Sequence, residues 1–341
     1  MDWWINGFDA AQQWVFEHAV QPVMFWAGLG NLLESGYEAA GWFLVGLLQL
    51  VIIVALIGPL QRLRPVEAVS DRATIRTDIL YTLIHRLGIF RVVLFFAMDP
   101  LIDSVFGMLR VTGVSTFQLD GIWPGVTDLP WVSLLLYLVV FDFVDYWIHR
   151  GQHHFEWWWK LHSLHHAQRQ MTMWSDNRNH LLDDLLRDTI LVVVAQLIGV
   201  APGQFIAIVA ITQLSESFQH ANLRLGFGRL GERLWVSPRF HRRHHSIGIG
   251  HETVKITPVV STDGGHGTQP PGRRVVLGGH NFGVLLPWWD MLMGTANFEL
   301  RYDPTGVRDQ VEPGPDGSLR DYGTGFWSQQ WKGLLRLAGR A

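Results

Sequence analysis

The chain has 341 residues, 48% of them hydrophobic, with a formal net charge of −3 and no cysteine. That apolar fraction exceeds what a soluble enzyme usually carries, and the near-neutral balance offers no surface for nucleic acid. Without thiols there is no disulfide, thiolate-held haem or cysteine-ligated iron–sulfur cluster, so imidazole and carboxylate remain as the strong metal ligands.

Taken in order, the N-terminal MDWWINGFDAAQQW lacks the basic region of a secretory signal, so no cleavage is expected. Trp42 to Leu60 is 19 residues without a charge. At about 1.5 Å per residue it would cross one hydrocarbon core as a helix. Ile79 to Met98 is a weaker candidate span, interrupted by His85, Arg86 and Arg91. Trp131 to Ile148 is strongly apolar but carries Asp142 and Asp145 near its end. Thr189 to Ser215 has 27 uncharged residues broken by Ala201-Pro202-Gly203. That break predicts two short helices that dip into the membrane and return.

Charge sets the expected orientation. Residues 1–41 hold no Lys or Arg and 99–130 hold only Arg110, whereas 61–76 carries Arg62, Arg64, Arg72 and Arg76. The positive-inside rule puts 61–76 and the histidine-rich segments on the cytoplasmic side, in a bacterium at the inner membrane. The expected fold is an all-α integral membrane protein: about three transmembrane helices, a re-entrant helical hairpin and a cytoplasmic, histidine-rich helical cap. A soluble protein with deeply buried helices is the alternative. The seventeen tryptophans suit membrane boundaries, and Trp157–Trp159 read as an interfacial belt. Residues 246–279, rich in Gly, Pro, Ser and Thr, read as a long loop with a short hairpin in VKITPVV. The closing GFWSQQWKGLLRLAGR is an amphipathic stretch suited to a membrane surface.

Three histidine clusters carry the chemistry. His149 and His153 (HRGQH) are four apart. His162, His165 and His166 (HSLHH) form an i, i+3, i+4 set, as do His241, His244 and His245 (HRRHH). Residues so spaced share a helical face, which is how a helix presents several imidazoles to one point. A single histidine on an apolar face is more often structural than a ligand, but eight clustered imidazoles exceed what one site of three or four ligands uses. Two metals are the economical reading. His154 follows a ligand directly and should point elsewhere; His18, His85, His251 and His266 show no such spacing.

HRGQH, HSLHH and HRRHH, together with DYWIHR, DNRNH, FQHANLR and NFGVLLPWWDMLMGT, resemble the fatty acid hydroxylase/sterol desaturase family of membrane di-iron oxygenases. The likeness covers about residues 131–300. It divides the chain into membrane helices (1–130), a hydroxylase/desaturase domain with its long loop (131–300) and a tail (301–341). The resemblance implies a metal site of two iron ions, which zinc can fill on purification, held by the clustered histidines. It adds His220 in FQHAN as a further ligand. His180 in DNRNH and Glu216 one turn before His220 are candidates in which ligand and supporting roles stand even. Asp145, one turn before His149, could accept its second ring N–H, with an interfacial carboxylate as the alternative. Asn177, with Arg178, could orient a ligand or anchor headgroups. The chain departs from the family in the length of its loop and in GGHNFG, where the usual acidic residue is absent and His280 could stand as a group supporting a ligand.

The activity so implied is O2-dependent hydroxylation or desaturation of a lipid or sterol-like substrate. With no dinucleotide motif or haem domain in the sequence, electrons would come from an external reductase, ferredoxin or cytochrome. Ether-lipid cleavage and carotenoid hydroxylation are alternatives within the class. A membrane metal transporter is the rival outside it, and would favour ionisable groups deep in several spans. A catalytically dead lipid-binding protein is a third option, which the full set of boxes argues against.

Overall fold

The computed structural model describes residues 2–91, 98–114, 116–247, 279–314 and 317–340, with the side chains of 2–5 and 99 left aside. The loop expected over 246–279, with the hairpin in VKITPVV, His251 and His266, lies outside these residues except at its ends. The described residues form helices and connecting loops, with no strand beyond one antiparallel bridge between Ser246 and Thr305.

The helices that build the fold are α1 (Asp2–Val15), α2 (Gly30–Leu63), α3 (Arg72–Arg86), α4 (Asp99–Val111), α5 (Pro130–His154), α6 (Glu156–His166), α7 (Leu181–Ile198), α8 (Pro202–His220), α9 (Pro238–His244), α10 (Trp288–Met293) and α11 (Phe326–Leu337), with shorter helical turns between them. Two of them, α2 and α5, are long and apolar enough to cross a membrane. α2 extends well beyond the uncharged run expected of it and makes a wider turn at Ile53–Ile57, just before Pro59, which lacks an N–H to continue the ladder. Leu47, Leu48, Val51, Val54 and Leu56 lie exposed along it.

The weaker candidate span, Ile79 to Met98, is not one continuous helix. α3 begins at Arg72, capped by Asp71, whose carboxylate accepts from the Thr74 N–H, and ends before Gly88 at φ +76°. Its inner face is polar. Arg86 is buried and donates to Asp176 at 2.8 Å and to Ser217 at 2.9 Å, and Arg178 reaches Asp78. Gly46 of α2 makes this possible: a Cβ there would fall 1.5 Å from the Arg86 carbonyl oxygen.

The predicted break at Ala201-Pro202-Gly203 separates α7 from α8. Gly199, in the left-handed region, caps α7, and Pro202 opens α8, where its missing N–H costs nothing. The two helices, 18 and 19 residues long, reach beyond both ends of the uncharged run, because each continues through polar residues toward the histidine end. Tyr137, Leu138 and Phe141 of α5, Leu191 of α7, Ile208 of α8 and Leu285 form the main core, which holds these three helices together. α11 docks by one face: Gln330 donates to the Tyr81 hydroxyl at 2.9 Å and accepts from the Leu181 N–H at 2.9 Å, while Trp327 and Trp331 face outward.

Candidate metal centre

Four helices end at one place. α5 brings His149 and His153, α6 brings His162, His165 and His166, α8 brings His220, and α9 brings His241 and His244, followed at once by His245. Apart from His149, these stand at or near a helix C-terminus, where the backbone carries partial negative charge that favours a cation.

The nine imidazoles fall into two buried groups of four, with nitrogens within 4.8 Å of one another in each: His149, His153, His162 and His166, and His165, His220, His241 and His245. His244 joins His166 and His245 in a third set that links the two. In the second group, Nε2 of His220 lies 3.2 Å from Nε2 of His165 and 3.1 Å from that of His241, which lies 3.1 Å from that of His245. Imidazole nitrogens bound about 2.1 Å from one metal stand roughly 3.0–3.4 Å apart, so this spacing fits a shared ion.

The outer nitrogens decide the tautomers. Nδ1–H of His149 donates to the Phe282 carbonyl at 2.9 Å, that of His244 to the His280 carbonyl at 2.8 Å, and that of His220 to the Glu216 carbonyl at 2.8 Å. Nδ1–H of His162 donates to the Asp183 carboxylate at 2.9 Å. Each such bond leaves Nε2 as a bare acceptor facing inward. Nε2 of His149, His162, His166 and His244 is buried with no hydrogen-bond partner among the described residues. Buried polar atoms are seldom left so, and several converging lone pairs are the donor set of a divalent first-row metal. Burial, reinforced by neighbouring imidazoles, holds His165, His166, His241, His244 and His245 well below the usual histidine pKa. They are neutral at pH 7, as ligation requires.

Other expected site residues stand elsewhere. Both nitrogens of His180 are engaged outside the groups: Nε2–H donates to the Gln330 carbonyl at 3.0 Å, and Nδ1 accepts from the Leu182 N–H at 3.1 Å, capping α7. Glu216 and Asp145 are both drawn to Arg187, at 3.5 and 3.0 Å. Asp145 therefore does not hold His149, whose outer nitrogen faces the Phe282 carbonyl. His280 supports His244 through its backbone carbonyl, not its imidazole. His154 is exposed. Asn177 is buried, its Nδ2 without a hydrogen-bond partner among the described residues, and lines the cavity beside the histidines.

Several contributors carried no spacing signal. Asp183 also accepts from Gln152 and from the indole N–H of Trp158, both at 2.7 Å. Trp158 is thus buried, a correction to the interfacial belt read over Trp157–Trp159, whereas Trp157 is exposed. Asp290 accepts from the Phe282 and Gly283 N–H groups at 2.9 and 2.7 Å and fixes the loop that holds His149. His85, unremarkable by spacing, lies 3.3 Å from Asp184 at the cavity wall.

The sequence profile described as Fatty acid hydroxylase matches residues 134–268, which contain all nine converging histidines. Residues 134–268 belong to the fatty acid hydroxylase family. Ornithine lipid hydroxylase OlsE of Rhizobium tropici is 26% identical over 277 residues, covering 80% of this chain and 73% of that protein. No solved structure matches. A hydroxylase homologue and a hydroxylase family together support an oxidoreductase acting on lipid.

Proposed function

We propose that this chain is a membrane-bound, O2-dependent lipid hydroxylase that holds two iron ions on nine histidines. The observation that carries the reading is the pairing of outward-bonded Nδ1 atoms with inward Nε2 atoms across two groups of buried imidazoles. His149, His153, His162 and His166 would hold one ion and His165, His220, His241 and His245 the other, with His244 between them. When bound, the iron pair supplies the redox chemistry that activates O2 toward an unactivated C–H bond. One O2, two electrons and two protons convert the C–H bond into an alcohol and release one water. The electrons come from a separate one-electron donor such as a ferredoxin or a cytochrome with its reductase.

The chain's own residues do the rest. Asp183 holds His162 and its charge offsets the cationic centre, since nine neutral imidazoles bring no negative charge of their own. The loop at Phe282, tied down by Asp290, sets the angle of the His149 ring. Arg187 bridges Asp145 and Glu216 and keeps both carboxylates off the metals. In this reading α2 and α5, both long and apolar enough to cross a membrane, anchor the site at the bilayer, lipid enters from the side, and the Arg-rich flanks support a cytoplasmic histidine end.

The test is lipid analysis of cells expressing the wild type or His244→Ala under oxygen-18-labelled O2. A lipid that gains one labelled oxygen in the wild type alone is the expected result. A lipid that loses two hydrogens and gains no label would make the enzyme a desaturase. Metal uptake with no altered lipid would favour a transporter and end the oxygenase reading.

A further inference from the structure

One imidazole at the wall of the cavity belongs to neither group of clustered histidines. The cavity measures about 80 Å3, room for a few water molecules. Five of the nine clustered histidines line it, and so do His85 of α3 and Asp184 of α7. Nε2 of His85 lies 3.3 Å from Oδ2 of Asp184. Both atoms are buried, and neither has a hydrogen-bond partner among the described residues. Buried polar atoms are seldom left so, and this pair keeps capacity for water in the cavity.

Hydroxylation as balanced above consumes two protons per turnover, at a centre enclosed by buried side chains. The clustered imidazoles are poor sources, because a ring nitrogen that takes up a proton loses the lone pair that holds a metal. The cavity's carboxylates are mostly held by arginine. Arg187 stands 3.0 Å from Asp145 and 3.5 Å from Glu216, and Arg86, next to His85 on α3, turns to Asp176 at 2.8 Å. A guanidinium so placed opposes protonation of the carboxylate.

That leaves His85 with Asp184, and Asp188 one turn further along α7 on the same cavity. Imidazole is the side chain suited to taking up and releasing protons near neutral pH, and a facing carboxylate favours its protonated form. The His85 side chain remains 11% exposed, which lets it exchange a proton with water. Asn177, buried with its Nδ2 unpartnered among the described residues, lines the same space and offers that water a donor.

We infer that His85 delivers protons to the oxygen chemistry at the metals, through water in the cavity, with Asp184 orienting its ring and favouring its charge. An N–H bond of the His85 imidazolium breaks as an O–H bond of the released water forms, and solvent entering the cavity returns the proton. The inference rests on the hydroxylase reading and adds to it the group that feeds the reaction protons. It holds whichever lipid is oxidised.

The first half of the experiment needs no turnover. Zinc-loaded protein labelled with nitrogen-15 histidine is followed by NMR from about pH 6 to about pH 8. A ring signal missing from His85→Gln should titrate in that range, and Asp184→Asn, which keeps the ring, should move its midpoint to lower pH. The second half follows one turnover of chemically reduced, iron-loaded protein under oxygen-18-labelled O2, in membranes where the wild type labels a lipid. His85→Gln should slow labelling at least about tenfold with metal content unchanged, and should lose the wild type's dependence on pH. Added imidazole should restore the rate in His85→Ala. A ring that does not titrate, or a His85→Gln variant with the wild-type rate and pH profile, would overturn the inference and leave the pair as a tether between α3 and α7. Labelled lipid with an inert His85 sinks the proton path alone, whereas wild-type protein that labels no lipid sinks the hydroxylase reading beneath it.

Discussion

The Asp183 carboxylate accepts the Nδ1–H of His162 at 2.9 Å, and its other oxygen holds Gln152 and Trp158 at 2.7 Å each. One buried side chain thus ties α7 to both α5 and α6 and turns a ligand ring toward the metals. Such partners raise ligand basicity, and their loss typically weakens metal binding by about 10–100-fold. Asp183→Asn is expected to lower metal affinity by that order in competition with a chelator, with less effect on the fold. Asp183→Ala should also cost about 1–3 kcal/mol of stability for each donor it orphans. Unchanged affinity in Asp183→Asn would remove Asp183 from the metal centre.

Acid should loosen the site in a defined direction. His165, His166, His241, His244 and His245 have folded pKa values well below their unfolded value of about 6.5. Below that value the unfolded chain binds more protons than the folded one, so stability falls as pH falls. Their contribution is complete above about pH 6.5 and diminishes as pH drops toward the folded values. Metal-free protein should melt at a lower temperature at pH 5 than at pH 7.5, and loaded protein should release metal over the same range. A melting temperature flat across that range would contradict the burial of neutral imidazoles.

His180 tests the difference between a ligand and a structural histidine. Its ring joins the start of α7 to α11 through the Leu182 N–H and the Gln330 carbonyl. His180→Ala is expected to cost roughly 1–2 kcal/mol, the size of a lost helix cap and an orphaned carbonyl. Its metal content should match the wild type. Loss of one metal in an otherwise folded variant would make His180 a ligand after all.

Asp290 supports the site at one remove. Its carboxylate also accepts from the Thr295 hydroxyl at 2.6 Å, and the loop it holds carries the Phe282 carbonyl bonded to His149. Asp290→Ala should lower stability by about 1–3 kcal/mol for each N–H left unpaired and should speed metal loss to a chelator. A metal-loss rate equal to that of the wild type would separate the loop from the site.

The sequence made one part of this arrangement legible and hid another. Spacing of three and four residues shows which imidazoles share a face, because a helix converts short-range order into geometry. It does not show what each ring's other nitrogen meets. Those partners come from far along the chain: Phe282 for His149, His280 for His244, Gln330 for His180. His180 and Glu216 look alike beside a histidine motif, and tertiary contacts with Gln330 and Arg187 draw them away. Asp145 lies one turn from His149 in the sequence, but Arg187 on α7 binds it. For the fold, α2 follows from an uncharged apolar run, and α5 from a strongly apolar one that carries Asp142 and Asp145 near its end. The segment from Ile79 is interrupted by His85, Arg86 and Arg91 in the sequence, and the helix that ends at Arg86 turns Thr82 and Arg86 inward as a polar face.

The central claim, two metal sites built from two groups of histidines, is tested most directly by metals per chain. The protein would be purified in detergent after growth with added iron and analysed by mass spectrometry beside a His165→Ala/His244→Ala variant that strikes both groups. The account predicts about two metals per wild-type chain, iron or competing zinc, and a clear loss in the variant. One metal or none in the wild type, unchanged in the variant, would contradict it.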